Sequence, residues 1–227
     1  MSKAHRASKT ELFESWVLKQ ILHGEYAGGQ NFADDAIEKY AAGINSPLAI
    51  AAYQRLDARE FVTVKPHQGT YVKAISKTDC EDAAAMWTSM MVATLKDCNP
   101  SQETAGALKT IANKMQTFKD APNGHNEIMD LAEEFMAELY KPDANFKSRI
   151  VANCYRTIRL GERLYERPDL TSLADKFAKL AYALAEKETH AGQTMAMRAF
   201  TDIARDLLGE EKAKKLITAK GPGHSYE

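Results

Sequence analysis

Polar side chains suited to reading a hydrogen-bonding ligand gather in one stretch of this sequence. Ser46, Gln54 and Arg55 fall in one helical run, and Lys65, His67, Gln68 and Thr70 surround a turn from Pro66 to Gly69. Glutamine matches the donor–acceptor edge of adenine in a duplex major groove, and a basic side chain at a turn tip can enter a minor groove. Elsewhere the chemistry-bearing types lack the spacing that chemistry needs. Gly28-Gly29 has no following lysine of a phosphate-binding loop, and no nucleophile motif surrounds the serines. Glu133-Glu134 and the pair Glu186 and Glu188 read as solvated helix faces rather than catalytic carboxylates. Arg156, Arg159 and Arg163 share a helical face that could hold an anion, but Glu162 and Glu166 beside them point to surface ion pairing. The six histidines (His5, His23, His67, His125, His190 and His224) form no i, i+4 pair with Asp or His, and His190 near a helix junction reads as a cap. Cys80, Cys98 and Cys154 are scattered, without paired metal spacing, and read as reduced thiols. An enzyme is not expected.

The elements that must position the first cluster are legible around it. Leu12, Phe13, Trp16, Val17, Ile21 and Leu22 make one apolar face of a first helix, opened by the capping-box pair Ser8 and Glu11. The segment from Asp34 to Ala42 reads as a short second helix closed by Gly43. Ser46-Pro47 starts a third, with Ser46 expected to accept from an orphan amide and Pro47 losing no hydrogen bond. Leu48, Ala52 and Leu56 recur every fourth residue along it. Phe61 to Val64 and Thr70 to Val72 are strand-like, with Pro66-His67-Gln68-Gly69 turning the chain. Helix, turn, helix and hairpin outline a winged helix-turn-helix, whose later helix and wing usually reach DNA.

From Thr78 onward only helical periodicity remains. Expected helices run from about 79 to 97, 101 to 118, 125 to 140, 145 to 164, 171 to 188, 191 to 208 and 210 to 217, an antiparallel all-α bundle. A length of 227 residues suits two modest domains, and 44% apolar with 27% charged residues excludes a disordered chain. No apolar run approaches the roughly 20 residues of a membrane span. The segment from Met1 to Thr10 lacks the apolar core of a signal peptide, so a cytoplasmic location is expected and no membrane partner. Net charge is −1, and residues 1–74 hold nine Lys/Arg against eight Asp/Glu. Phosphate contacts supply most non-specific affinity, so such a head should bind DNA weakly as a monomer.

Ile21, Gly24, Tyr26, Gly29, Phe32 and Ile37, then Leu56, Phe61, Val62, Pro66, Gly69, Thr70 and Val72, resemble the N-terminal domain of GntR-type bacterial transcription regulators. One residue appears to be extra between Ile37 and Ile44. Phe135, Met136, Leu139 and Asn145, with Ala191, Met195 and Arg198 more weakly, resemble the all-helical FCD effector domain of the FadR-like subfamily. The resemblance implies a winged helix-turn-helix over 1–74 and an effector-binding, dimerising helical domain over 78–219. It also implies a homodimer on a pseudo-palindromic operator, controlled by a small-molecule effector.

Two departures from the family pattern matter. The arginines of its recognition elements fall here on Asp35, Ser46 and Ile50, leaving Ser46, Gln54, Arg55, Lys65, His67, Gln68 and Thr70 as candidate DNA contacts. Ile50 and Ala51 read as packing residues. The family's metal ligands fall on Ala132, Met136, Phe177 and Arg198, so no metal and no cofactor are expected. Trp87, Met90, Met91, Ala132, Met136 and Phe177 then make either a filled core or an apolar effector pocket for an apolar, carboxylate or acyl effector, with Arg159 or Arg198 holding a carboxylate or phosphate end. Two functions stay open: an effector-controlled transcription regulator, or a divergent relative with lost or altered DNA reading that binds ligand or protein.

Overall fold

The computed structural model describes residues 7–121, 124–140, 146–162, 170–185 and 190–218. Contacts divide the chain into two compact units between Ser76 and Lys77.

The first unit holds α1 (Lys9–His23), α2 (Ala33–Lys39), α3 (Ser46–Ala58), β1 (Val62–Lys65) and β2 (Gly69–Val72). The Ser8–Glu11 capping box opens α1, and Gly24 in the left-handed conformation closes it. The α3 cap lies one residue earlier than the sequence suggested. Asn45 accepts from the Leu48 amide, and Ser46 is already the first helical residue. The second helix is also shorter than expected, ending at Lys39.

Phe13, Val17 and Ile21 of α1 pack with Ala49, Ala52, Tyr53 and Leu56 of α3, all buried. Tyr53 is the pivot: its ring meets Phe13 and Phe32 at centroid distances of 5.7 and 5.6 Å, and its hydroxyl donates to the Ala33 carbonyl at 2.8 Å. That one side chain fixes where α3 starts relative to α2. Burial raises its hydroxyl pKa, so the proton it donates stays in place.

The hairpin pairs Val62 with Val72 and Lys65 with Gly69 in antiparallel register. Residues 29–32 run beside β2: the Gly29 amide donates to Val72 O, the Val72 amide to Gln30 O, and the Phe32 amide to Thr70 O. Asp57 Oδ1 takes the Val64 amide at 3.1 Å, tying the end of α3 to β1. That junction uses a non-glycine residue in left-handed space. Glu60 has φ 63°, the Phe61 amide reaches Leu56 O and the Glu60 amide reaches Asp57 O, a Schellman closure.

The second unit is all-helical among its described residues: α4 (Lys77–Asp97), α5 (Gln102–Phe118), α6 (Gly124–Leu139), α7 (Phe146–Glu162), α8 (Leu170–Ala185), α9 (His190–Leu208) and α10 (Glu210–Thr218). Against α4 pack α7, α9 and α10; α5 lies between α6 and α8, and α8 against α9. One continuous apolar core runs through it, from Trp87 on α4 to Phe177 on α8 and Phe200 on α9. Close approach of α4 and α7 requires Gly161, where a Cβ would overlap Cys80 Sγ. No described helix is long and apolar enough to cross a membrane.

Candidate nucleic-acid interface

The exposed side of α3 follows from its buried side. Ala49, Ala52, Tyr53 and Leu56 face the core, so Ser46, Ile50 and Gln54, spaced one turn apart, face outward with Arg55 beside them. This corrects one expectation: Ile50 does not pack inside but is 51% exposed. The stripe of Leu48, Ala52 and Leu56 already leaves Ile50 off the packed face; its apolar type, not its position, suggested packing.

Arg55 is exposed but drawn back toward α1, with Nη1 3.6 Å from Glu14 and 3.9 Å from Glu11. Glu14 also receives Arg59 Nη1 at 2.6 Å, and the Arg59 guanidinium lies over the Phe61 ring. One glutamate thus clasps two arginines at the edge of the outward face. On α2, Asp35 pairs with Lys39 at 3.0 Å, and hydrogen bonds from Lys39 and then Tyr26 hold its carboxyl below the ordinary aspartate range. Lys73 pairs with Glu60 at 3.1 Å.

The wing tip is built differently. Pro66 and left-handed His67 (φ 59°) occupy the two central positions of a turn closed by Gln68 N donating to Lys65 O. The Gln68 carbonyl accepts from Asn31 Nδ2 at 3.3 Å and from the Tyr71 hydroxyl at 3.0 Å. Gly69 has φ 107°, and a Cβ there would lie 2.7 Å from Asn31 Nδ2. The tip is therefore held in place while His67 and Gln68 project into solvent. The Lys65 ammonium sits 4.5 Å from the Tyr71 ring centroid. Thr70 is a correction: strand alternation turns it inward with Val72, 4% exposed, so its hydroxyl is not offered to a ligand. Of the seven candidates, Ser46, Gln54, Arg55, Lys65, His67 and Gln68 are exposed.

The second candidate set does not assemble as one binding surface. Trp87, Met136 and Phe177 are at most 3% exposed and part of the core, with Met90 half-buried against it. Trp87 Nε1 points at Met136 Sδ, 3.0 Å away, and its ring meets those of Phe200 and Tyr155. Phe177 packs edge-on to Phe135. These contacts are those of a filled interior. Arg198 lies on the solvent side of α9, away from that core.

Arg159 is buried, but its charge is committed: Nη2 lies 2.8 Å from Asp130 Oδ1 and Nη1 3.6 Å from Glu133 Oε2. The Asp130 approach is close without hydrogen-bond alignment, which leaves Nη2 with ionic contact alone. Arg156 Nε donates to Glu133 Oε1 at 2.8 Å, and Arg156 Nη2 contacts the same oxygen. The two arginines are therefore paired across to α6. Arg163 and Glu166 lie outside the described residues, as does the side chain of Glu162. Glu133 is correspondingly half-buried rather than part of a solvated face. Among the described residues no group of three or more His, Cys, Asp and Glu could hold a metal.

No protein-family model matches the chain, and no curated protein matches it. Solved structures do. E. coli McbR/YncC superposes with a TM-score of 0.65 at 15% identity, over 89% of this chain and 98% of that one. A putative transcriptional regulator GntR from Rhodococcus sp. RHA1 gives 0.66 at 16% identity, over 89% and 99%. At such identity the likeness is one of architecture, and it spans both units. The chain has the fold of these regulators, a winged helix-turn-helix followed by an all-helical domain.

Proposed function

We propose that this protein is a sequence-specific DNA-binding transcription regulator of the GntR type, with FadR-like division of labour, and not an enzyme. The observation that carries this reading is the first unit's outward face. Helix α3 offers a row of partly polar side chains, and the hairpin beside it holds His67 and Gln68 in a fixed pose. Phosphate contacts would position the head and α3 would read base edges. Two copies joined through their helical domains would place two heads on a pseudo-palindromic operator. A small apolar or carboxylate-bearing effector with unequal affinity for two poses of the dimer would shift its affinity for DNA. A cytoplasmic location is part of the same reading.

The clasped cations favour a second reading, a relative that has lost DNA reading and binds ligand or protein. Arg55, Arg59, Lys39 and Lys73 all have carboxylate partners, so few counterions would be released on docking. Filter-binding titrations against genomic fragments at several salt concentrations separate the two. The regulator should bind saturably with a shallow slope of log K on log salt, about −2 to −4 for a dimer neutralising one or two phosphates per head. Absence of saturable binding at low salt selects the second reading. Native mass spectrometry of the purified protein tests the dimer and any co-purified effector.

A further inference from the structure

Ile50 is the one large aliphatic side chain of α3 that the protein leaves uncovered, 51% exposed where Leu56 is wholly buried and Leu48 half-buried. Ser46 stands one turn before it and Gln54 one turn after, both exposed. The single cation of α3, Arg55, leans to Glu11 and Glu14 instead of joining that row. The row Ser46–Ile50–Gln54 is thus uncharged, with an aliphatic centre. Reading guanine through O6 and N7 calls for arginine or lysine, which this row lacks. The major groove contains one apolar group, the thymine 5-methyl, and glutamine pairs its amide with adenine N6 and N7.

We propose that Ile50 is a specificity-determining residue that packs on the 5-methyl group of a thymine, with Gln54 hydrogen-bonding an adenine, so that the centre of each half-site is A·T. This rests on the DNA-binding reading above. Four residues of helix advance about 6 Å, which places the two contacted bases one to two steps apart at about 3.4 Å per step. The side chain left uncovered by the fold then has an apolar partner in the complex.

The test uses the full chain. Duplexes are enriched from a random pool at low salt, and thymines in the enriched duplex are replaced one at a time by deoxyuridine, which removes the methyl and leaves charge and pairing unchanged. Losing one buried methyl weakens binding about four-fold. The expected result is such a loss at one position per half-site for the native protein. Ile50→Ala should bind the thymine duplex several-fold more weakly and be indifferent to the replacement, while Ile50→Val retains most of the sensitivity. Gln54→Ala should relax the preference for adenine at the adjacent position. Saturable binding that ignores every replacement, sensitivity that survives Ile50→Ala, or enrichment of G·C at the half-site centre overturns the proposal and leaves DNA binding intact. Failure to enrich any duplex overturns both.

Discussion

The two units differ in how deeply they hold a charge. In the first, the ion pairs lie at or near the surface around a core of aromatic and aliphatic side chains, Glu14 at 12% exposure being the most enclosed, and among the described residues the only buried polar ones besides tyrosines are Thr10 and Thr70. In the second, the Arg159 side chain is 2% exposed and its charge is met inside the fold by Asp130 and Glu133. A surface pair costs little desolvation and contributes little; a buried one is held only while both signs are present. The first unit can therefore trade most of its charged residues at little cost, Glu14 apart, whereas the second contains one charge whose partners it cannot lose.

Truncating one arginine in each unit puts that contrast to the largest test. Arg159→Ala should destabilise the helical unit by about 3 kcal/mol, the low end for a broken buried pair because Asp130 and Glu133 keep about a quarter of their exposure. Arg59→Ala, whose partner Glu14 is 12% exposed but whose own side chain keeps 31%, should cost less, about 1 kcal/mol. Hydrogen exchange read peptide by peptide resolves the two units, and equal losses would end the contrast.

A second pair of substitutions compares two glycines. Gly161→Ala drives a methyl into Cys80 and should cost about 1–3 kcal/mol; Cys80→Ala relieves only part, since the Cys80 Cβ would remain 2.9 Å away. Gly69→Ala adds left-handed strain to the approach on Asn31, and its cost of similar size should fall on the wing alone.

Smaller again is Glu60→Gly, expected to stabilise the first unit by about 1 kcal/mol in thermal melts, because glycine takes φ 63° without the Cβ penalty. The exposed partnership with Lys73 that it removes offsets little of that gain.

The least effect is expected from acid at the α4–α10 contact. Lys212 hydrogen-bonds and attracts Glu81, which holds that carboxyl below its ordinary value of 4.5. Its contribution is complete above 4.5 and fades as pH falls through the lower folded-state value. Amides of α10 should exchange faster below that range than at neutral pH, after correction for intrinsic rates, and Glu81→Gln should remove the pH-dependent part.

The sequence carried local signals faithfully and tertiary ones poorly. The Ser8–Glu11 box, the Pro66–Gly69 turn and the helical character beyond Lys77 are short-range chemistry, and they read directly. The α3 cap missed by one residue because Asn45 and Ser46 are both good caps, and only the backbone decides between adjacent candidates. Burial of Arg159 was not legible, since its partners sit on another helix and helical spacing alone assigns an arginine to solvent. The same limit hid the meeting of Glu14 with Arg55 and Arg59, which depends on which flank of α1 faces α3. Thr70 pointed inward by strand register, a fact settled only once Val62 was seen opposite Val72.

Glu14 also fixes how this head can evolve. A single change to glutamine would remove the carboxylate that two guanidinium groups share at the rim of α3, leaving Arg55 with Glu11 and Arg59 over the Phe61 ring. The unit's net charge would rise by one at that rim. On the DNA-binding reading proposed above, that change (one nucleotide, GAA or GAG to CAA or CAG) would favour sequence-independent phosphate contacts over base reading.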